Sequence, residues 1–367
     1  MLRTVQRLDV VNDVYKEDSL KSHVRGLRGT GGRIHKVDNS TKLPRDWKAF
    51  LRNDSNKTLL ISYLAEEVIS QMKDERKTMV FTTGERVLSV PDRDSSTLHP
   101  CNQEEADSRI FLHADDAVEA GSSSIIIRTN DTDVVVLAVV YAAKTNVQVY
   151  VSMGTSENNR RYIDASEIAE KLGSEKCRAL LLFHSYTGCD TTSFFKNFGK
   201  KRCWAAWDTY PELTSVLIRL TESSSDPEEN DLLVIERFVC LVYDKNTELS
   251  EVNHLRQHLF ASKMRQVGHI PPTKAALKYH LMRCILQARI WFQMNRKNVE
   301  NLDPASYGWI RNQLNQWKPL WTDLPPIGQS RVFVKCGCKD CSNARCGCKK
   351  DNLPCYIGCG CGGRCSR

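Results

Sequence analysis

The sequence predicts an α/β protein: a mainly parallel sheet sandwiched by helices, then a helical extension, then a small cysteine-rich module. Three observations carry this. Strand-like apolar segments alternate with segments of helical period as far as Trp207, strand signals fade beyond Trp204, and nine of the fifteen cysteines fall between Cys336 and Cys365. Strands alternating with helices are the signature of βαβ units, whose crossovers leave neighbouring strands parallel.

Taken in order, Leu8–Val14 is a short apolar run containing Asp13, and Arg25–Asn53 is rich in Gly, Arg and Lys without period, which reads as a flexible basic loop. Lys57–Asp74 has helical spacing through Leu60, Tyr63, Leu64 and Val68, and Met79–Val90 reads as a strand. Glu104–Ala120 is helical, Ser124–Arg128 is a buried strand, Val134–Ala143 is too apolar to assign by period alone, and Val147–Ser152 is a strand. Ser166–Leu172 is a helix and Ala179–Phe183 an apolar run ending near Gly188. Helices follow over Asp231–Tyr243, Asn253–Met264 and Thr273–Asn295. Ser223–Asn230 is an acidic loop, and Trp317–Gln329, with Pro319, Pro325 and Pro326, is a semi-rigid linker. The expected organisation is an α/β domain over 1–207, a helical extension over 208–316, a linker over 317–330 and the cysteine module over 331–367.

A hydrophobic content of 41% with 26% charged residues is ordinary globular composition, which excludes wholesale disorder. No apolar run reaches the length of a membrane span and the first residues are charged, so the reading is an intracellular protein whose cysteines stay reduced. The formal charge of +8 is uneven: from Arg331 onward eight Lys/Arg face two Asp/Glu, so the tail carries +6 of it. A basic folded tail points to a polyanion partner, nucleic acid in the first place, and to the nucleus.

The tail reads Cys336-x-Cys338-x2-Cys341-x4-Cys346-x-Cys348-x6-Cys355-x3-Cys359-x-Cys361-x3-Cys365. Thiolates select zinc, which takes four ligands. Nine thiolates serve two zincs with one left over, or about three zincs if three sulfurs bridge. An odd number of cysteines argues against disulfides. The other six (Cys101, Cys177, Cys189, Cys203, Cys240, Cys284) are scattered and read as buried thiols. His254 and His258, one helical turn apart, read as a surface pair.

Acidic residues follow the apolar runs: Asp13, then Asp131 and Asp133, then Asp190, while Glu104, Glu105 and Asp107 open a helix. In open α/β sheets ligands sit beyond the carboxyl ends of strands. Such carboxylates suit magnesium or manganese, and two such ions about 4 Å apart can activate water and stabilise a leaving oxygen. The same acids also serve as N-caps and turn residues. Glu105 and Asp107 lie two apart and share no face of a regular helix, whereas Glu104 and Asp107 do.

Gln103-Glu-Glu-Ala-Asp-Ser-Arg109, Thr129-Asn-Asp-Thr-Asp-Val-Val-Val-Leu137 and Thr187-Gly-Cys-Asp-Thr-Thr192 resemble the internal region of the flap-endonuclease/XPG family, a branch of the PIN-like nucleases. The resemblance implies that Glu105, Asp107, Asp131, Asp133, Asp190 and, through Val10-Val-Asn-Asp13, Asp13 are magnesium or manganese ligands of a structure-specific endo- or exonuclease. Lys21 and Arg28 keep the spacing of the basic pair that touches the scissile phosphate. Phe195-Lys-Asn-Phe-Gly-Lys-Lys-Arg202 is similar to the backbone-gripping loop of that family's helix–two-turn–helix, with Lys200 and Lys201 as its cations, but lacks the second glycine. The family also places an aspartate on a strand well before Asp13, and twelve residues precede Asp13 here, so the expectation is an N-terminally truncated or incomplete site. The cysteine string resembles a tesmin-type CXC repeat, which implies three zincs and DNA binding, with Arg345 at the place that enters the minor groove and Lys349 and Lys350 on phosphate. The whole arrangement looks like a multi-copy group of animal proteins of mobile-element origin. Two functions are expected from this: a two-metal phosphodiesterase anchored by the tail, or a catalytically inactive DNA-binding or protein-interaction scaffold.

Overall fold

A computed structural model of the chain describes residues 5–16, 18–22, 32–72, 76–263, 269–323, 336–341, 345–350, 355 and 359–364. The chain divides into two units: Met1–Leu181 with Gln287–Pro304 and Ile310–Lys318, and Leu182–Leu286 with Ala305–Trp309 and Pro319–Arg367.

In unit 1 the strands form two three-stranded sheets. The first orders β1 (Arg7–Val10), β2 (Thr78–Thr83) and β3 (Arg86–Val90); the second orders β4 (Ser124–Arg128), β5 (Gln148–Met153) and β6 (Arg161–Asp164). Each holds one parallel pair, β1 with β2 and β4 with β5, and one antiparallel pair, β2 with β3 and β5 with β6. The fold is therefore mixed α/β, and the expected mainly parallel sheet is corrected. The reason is connection length. Gly84–Glu85 is a two-residue turn with Gly84 at φ 58°, which turns the single strand expected over Met79–Val90 into a hairpin. A parallel return needs a crossover of about a dozen residues or more, which neither β2–β3 nor β5–β6 has.

The longer connections supply helices. α1 (Trp47–Arg52) is capped by Asp46 inside the segment expected to be a loop, and α2 (Asp54–Gln71) is capped by Asn53. α3 (Ala106–Glu119) precedes β4, and α4 (Thr132–Ala142) joins β4 to β5. The valine run in α4 has poor helix propensity, yet burial overrides it: Val134, Leu137, Ala138, Val139 and Val140 are all inside. Leu137→Ala would cost about 2–5 kcal/mol in such a site. Next comes α5 (Ala165–Tyr186), broken at Gly173, whose φ of 77° no helix accommodates.

Unit 2 is helical: α6 (Lys200–Asp208), α7 (Glu212–Glu222), α8 (Glu229–Tyr243), α9 (Val252–Lys263) and α10 (Lys274–Phe292, its part up to Leu286). Its core is aromatic. Phe183 stacks on Trp207 at 4.5 Å, and the buried Trp207 indole still donates to Thr214 Oγ1 at 3.0 Å. Near the end of the globular part, β7 (Trp309–Arg311) and β8 (Trp317–Pro319) pair, so the first residues of the expected linker are a strand with Trp317 buried. No helix among the described residues is long and apolar enough to cross a membrane.

Candidate metal centre and acidic cluster

Cys336, Cys338, Cys341, Cys346, Cys348, Cys355, Cys359 and Cys361 come together in one cluster; Cys365 lies outside the described residues. The sulfurs of Cys336, Cys341 and Cys355 form a triangle with sides of 3.4, 3.5 and 3.7 Å, and Cys348 lies 3.5 Å from Cys359. A disulfide would hold its sulfurs at about 2.05 Å. Tetrahedral zinc with bonds of about 2.3 Å spaces its thiolates about 3.8 Å apart, close to the observed sides. Three sets of four keep all sulfurs within 4.8 Å of one another: Cys336/Cys346/Cys348/Cys355, Cys336/Cys338/Cys341/Cys346 and Cys336/Cys341/Cys355/Cys361. The overlap of these sets is what sulfur bridging between ions requires. An all-thiol donor set in this geometry fits zinc.

Local backbone chemistry builds the cluster. Gly360 N–H donates to Cys336 O at 2.8 Å, and a Cβ on Gly360 would lie 2.8 Å from Gly337 O and 2.9 Å from Cys338 O. Only glycine lets these two Cys-Gly-Cys turns meet. Cys341 adopts a left-handed φ of 56°, and the Lys349 N–H draws the Cys346 thiol down to about 7. Lys349 and Lys350 lie on the short helix α11 (Gly347–Lys350), and both are exposed, as is Arg345.

The acids at the strand ends of unit 1 form a second constellation. Val14 N–H donates to Glu104 O at 2.7 Å, Lys16 Nζ to Asn102 O at 2.8 Å, and Ala106 N–H to Asp13 Oδ1 at 2.8 Å, so the segment after β1 is stitched to the start of α3. Gln103 anchors that start by donating to Met294 O and Arg296 O. Glu105 is the N-cap of α3, in extended conformation, and only Asp107 lies inside the helix. The helical-face objection to pairing them therefore lapses. Burial, then the neighbouring Glu105 and Asp131 charges, push Asp107 up to about 7. Burial also raises Glu105, against the pull of Lys21, whose ammonium lies 2.9 Å away. Asp131 caps α4, accepting from Asp133 N–H at 2.8 Å. Among the described residues no three carboxylates approach as the thiols do. Magnesium, which keeps most of its waters and uses one or two carboxylates, does not demand that they should.

Other expected site residues stand elsewhere. Asp190 belongs to unit 2, exposed in the turn after α5. Lys200 Nζ donates to His184 O, Gly188 O and Thr187 Oγ1 at 2.6–2.9 Å, which commits it to the C-terminal end of α5. Lys201 is exposed, and Asn197 supplies a left-handed turn at φ 67° ahead of it. Arg28 lies outside the described residues. Of the six cysteines read as buried thiols, five are, and Cys189 is half-buried.

Sequence reading missed a buried network on the same helix. Asp9 accepts from Arg7 at 2.7 and 2.8 Å and from His113 Nδ1 at 2.8 Å; Asp116 takes Arg7 and Arg93 at 2.7 Å and the Thr97 hydroxyl at 2.6 Å. Comparison with family models, with curated proteins and with solved structures returns no match.

Proposed function

We propose that the chain is a nucleic-acid-binding protein whose C-terminal cysteine module folds around about three zinc ions, with DNA the preferred partner and the nucleus its place of work. The observation that carries the reading is the sulfur triangle of Cys336, Cys341 and Cys355 set among exposed cations. Zinc supplies the fold of the module. Three divalent ions with nine thiolates leave a formal −3, so the tail keeps about half of its positive charge and still attracts a polyanion. Arg345 reads a narrow minor groove, while Lys349 and Lys350 neutralise phosphates.

Metal analysis of the full-length chain should return about three zincs, and chelation should abolish both the fold of the module and DNA affinity. Arg345→Ala should weaken A·T-rich sites by about 1–3 kcal/mol, one specific contact. Lys349→Ala and Lys350→Ala should weaken all sequences alike and flatten the salt dependence. Fewer than two zincs per chain, or DNA affinity that survives deletion of the tail, would sink the proposal.

A second reading is favoured by Asp107, held beside Glu105 and Asp131 against their mutual repulsion. Here Glu105, Asp107 and Asp131, with Asp13 and Asp133, hold magnesium or manganese for phosphodiester hydrolysis. The ions would supply activation of water and neutralisation of the leaving oxygen. Within the chain, Asp13 fixes the N-terminal end of α3, and Lys21 and Arg28 are the candidates for the phosphate. Asp131→Asn with Asp133→Asn should abolish divalent-dependent cleavage in this reading. For an inactive scaffold, derived from a mobile element, the same change should leave DNA affinity equal or slightly tighter.

A further inference from the structure

Cys189 and Cys284 meet at one hub in unit 2. Cys189 lies in the turn that follows α5, half-exposed, with its Sγ 3.1 Å from Thr192 Oγ1. Thr192 Oγ1 in turn donates to Ser185 O at 2.5 Å. Cys284, fully buried on α10, donates to that same Ser185 O at 3.4 Å. One carbonyl and one hydroxyl therefore separate the two sulfurs. The Thr192 hydroxyl also reaches the Cys284 thiol, and the two thiols interact electrostatically. His280 completes the group: its Nε2 pairs with Tyr186 O at 2.9 Å, and its Nδ1 lies 3.7 Å from Cys284 Sγ. Its Nε2 lies 3.6 Å from the same sulfur, so the thiol sits against the ring, and burial keeps this imidazole neutral, down to about 4.

We propose that Cys189 and Cys284 form a peroxide-reactive dithiol that closes to a disulfide. The half-exposed Cys189 is the thiol a small hydroperoxide can reach; the buried Cys284 is the one that resolves. Cys189 attacks the peroxide oxygen, the O–O bond breaks, and a sulfenic acid and one water (for hydrogen peroxide) result. Cys284 sulfur then attacks Cys189 sulfur, the S–OH bond breaks, and the hydroxyl departs as a second water with the Cys284 proton. The two thiols lose two electrons and the peroxide gains them. The proposal requires Cys189 to turn its sulfur past the Thr192 hydroxyl towards that of Cys284. The bond would tie the Gly188–Thr192 turn, which carries Asp190, to α10. It depends on neither reading of the function given above.

The test uses the full-length, zinc-loaded chain, exposed to hydrogen peroxide, denatured, alkylated and cut with trypsin. The segments Ala179–Lys196 and Cys284–Arg289 each hold one cysteine, so the expected product is that linked pair, two hydrogens lighter than its parts and lost on prior reduction. Recovery of Cys189 as sulfinic acid with Cys284 alkylated overturns the proposal. So does a bond from Cys189 to any other cysteine, or oxidation of the pair only after unfolding. In Cys284→Ser, dimedone should trap Cys189 sulfenic acid that the native chain loses to the disulfide; an unchanged yield counts against the pair. Should that variant not fold, Cys189→Ser serves: Cys284 must then resist peroxide, and its oxidation would reverse the assigned roles and overturn the proposal.

Discussion

Along α3 the carboxylates at the N-terminal end are partly, and Asp116 towards the C-terminal end almost wholly, withdrawn from water, with opposite results. Asp116, like Asp9 beside it, is held below the ordinary carboxylate range: burial alone would raise both, but hydrogen bonds from Thr97, Arg93 and Arg7 to Asp116, and from His113 and Arg7 to Asp9, overcome it. At the other end Asp107 is raised to about 7, because burial is joined by Glu105 and Asp131, which carry its own sign, while Lys21 serves Glu105 first. Burial is common to both groups, and partner charge decides the outcome. The first arrangement holds the fold together. The second is left short of opposite charge, so Asp107 holds its proton up to about 7.

The largest expected effect tests the compensated group. Asp116→Ala leaves Arg7 and Arg93 facing a void, and removing one partner of a buried ionic network costs about 3–5 kcal/mol. Urea unfolding with unchanged slope measures it. A loss below about 1 kcal/mol would place this network among the weak surface pairs and erase the contrast.

A pH profile separates the groups next. Asp9 and Asp116 titrate lower folded than unfolded, so their contribution is complete above the unfolded value of about 3.9 and is lost as pH falls through their folded values. Asp107 runs the other way. Its folded value of about 7 exceeds the unfolded one, so ionisation weakens the fold as pH rises through that range. Asp107→Asn should therefore raise the melting midpoint at pH 8, by about 2–4 °C for each kcal/mol relieved, and change nothing at pH 4. Equal shifts at both pH values would mean that charge is not the cause.

The two groups also differ in how far sequence revealed them. Asp13, Asp107 and Asp131 stood out because each ends an apolar run or opens a helix, a local pattern that a chain displays in one dimension. Which of them would be held close depended on Glu105 being an extended N-cap, a backbone conformation no spacing rule contained. The clustering of the tail cysteines was legible, since their sulfurs belong to residues that lie near one another in sequence. By contrast, the Arg7–Asp9–His113–Asp116–Arg93 network joins β1 to α3 across about a hundred positions of sequence, and Arg93 to Asp116 across 23, with none of its residues in a motif. β6, and with it the antiparallel β5–β6 pair, was missed because four residues carry too little periodicity, and the β2–β3 pair because a two-residue turn at Gly84 hides within one apolar run.

The smallest effect is the most discriminating. Lys21 Nζ lies 2.9 Å from Glu105 Oε2 with both side chains about one-fifth exposed, so Lys21→Ala should cost only about 0.2–1 kcal/mol, the range of partly solvated pairs. The consequence of that loss depends on what the acids are for. If they only close turns and cap helices, the variant stays destabilised whatever is added. If they hold a divalent cation, Lys21 competes for the Glu105 oxygen, and its removal opens that oxygen to the ion. Manganese should then restore the midpoint and carry it further in the variant than in the native chain, because an ion that binds only the folded state stabilises it in proportion to the logarithm of its occupancy ratio. Water-proton relaxation by manganese reads the same binding without reference to stability, and Asp107→Asn should abolish it. A Lys21→Ala protein that binds manganese no more tightly than the native chain, with Asp107→Asn unchanged as well, would make the acidic cluster a strained piece of scaffold and leave the thiol cluster of the tail as the remaining candidate metal site.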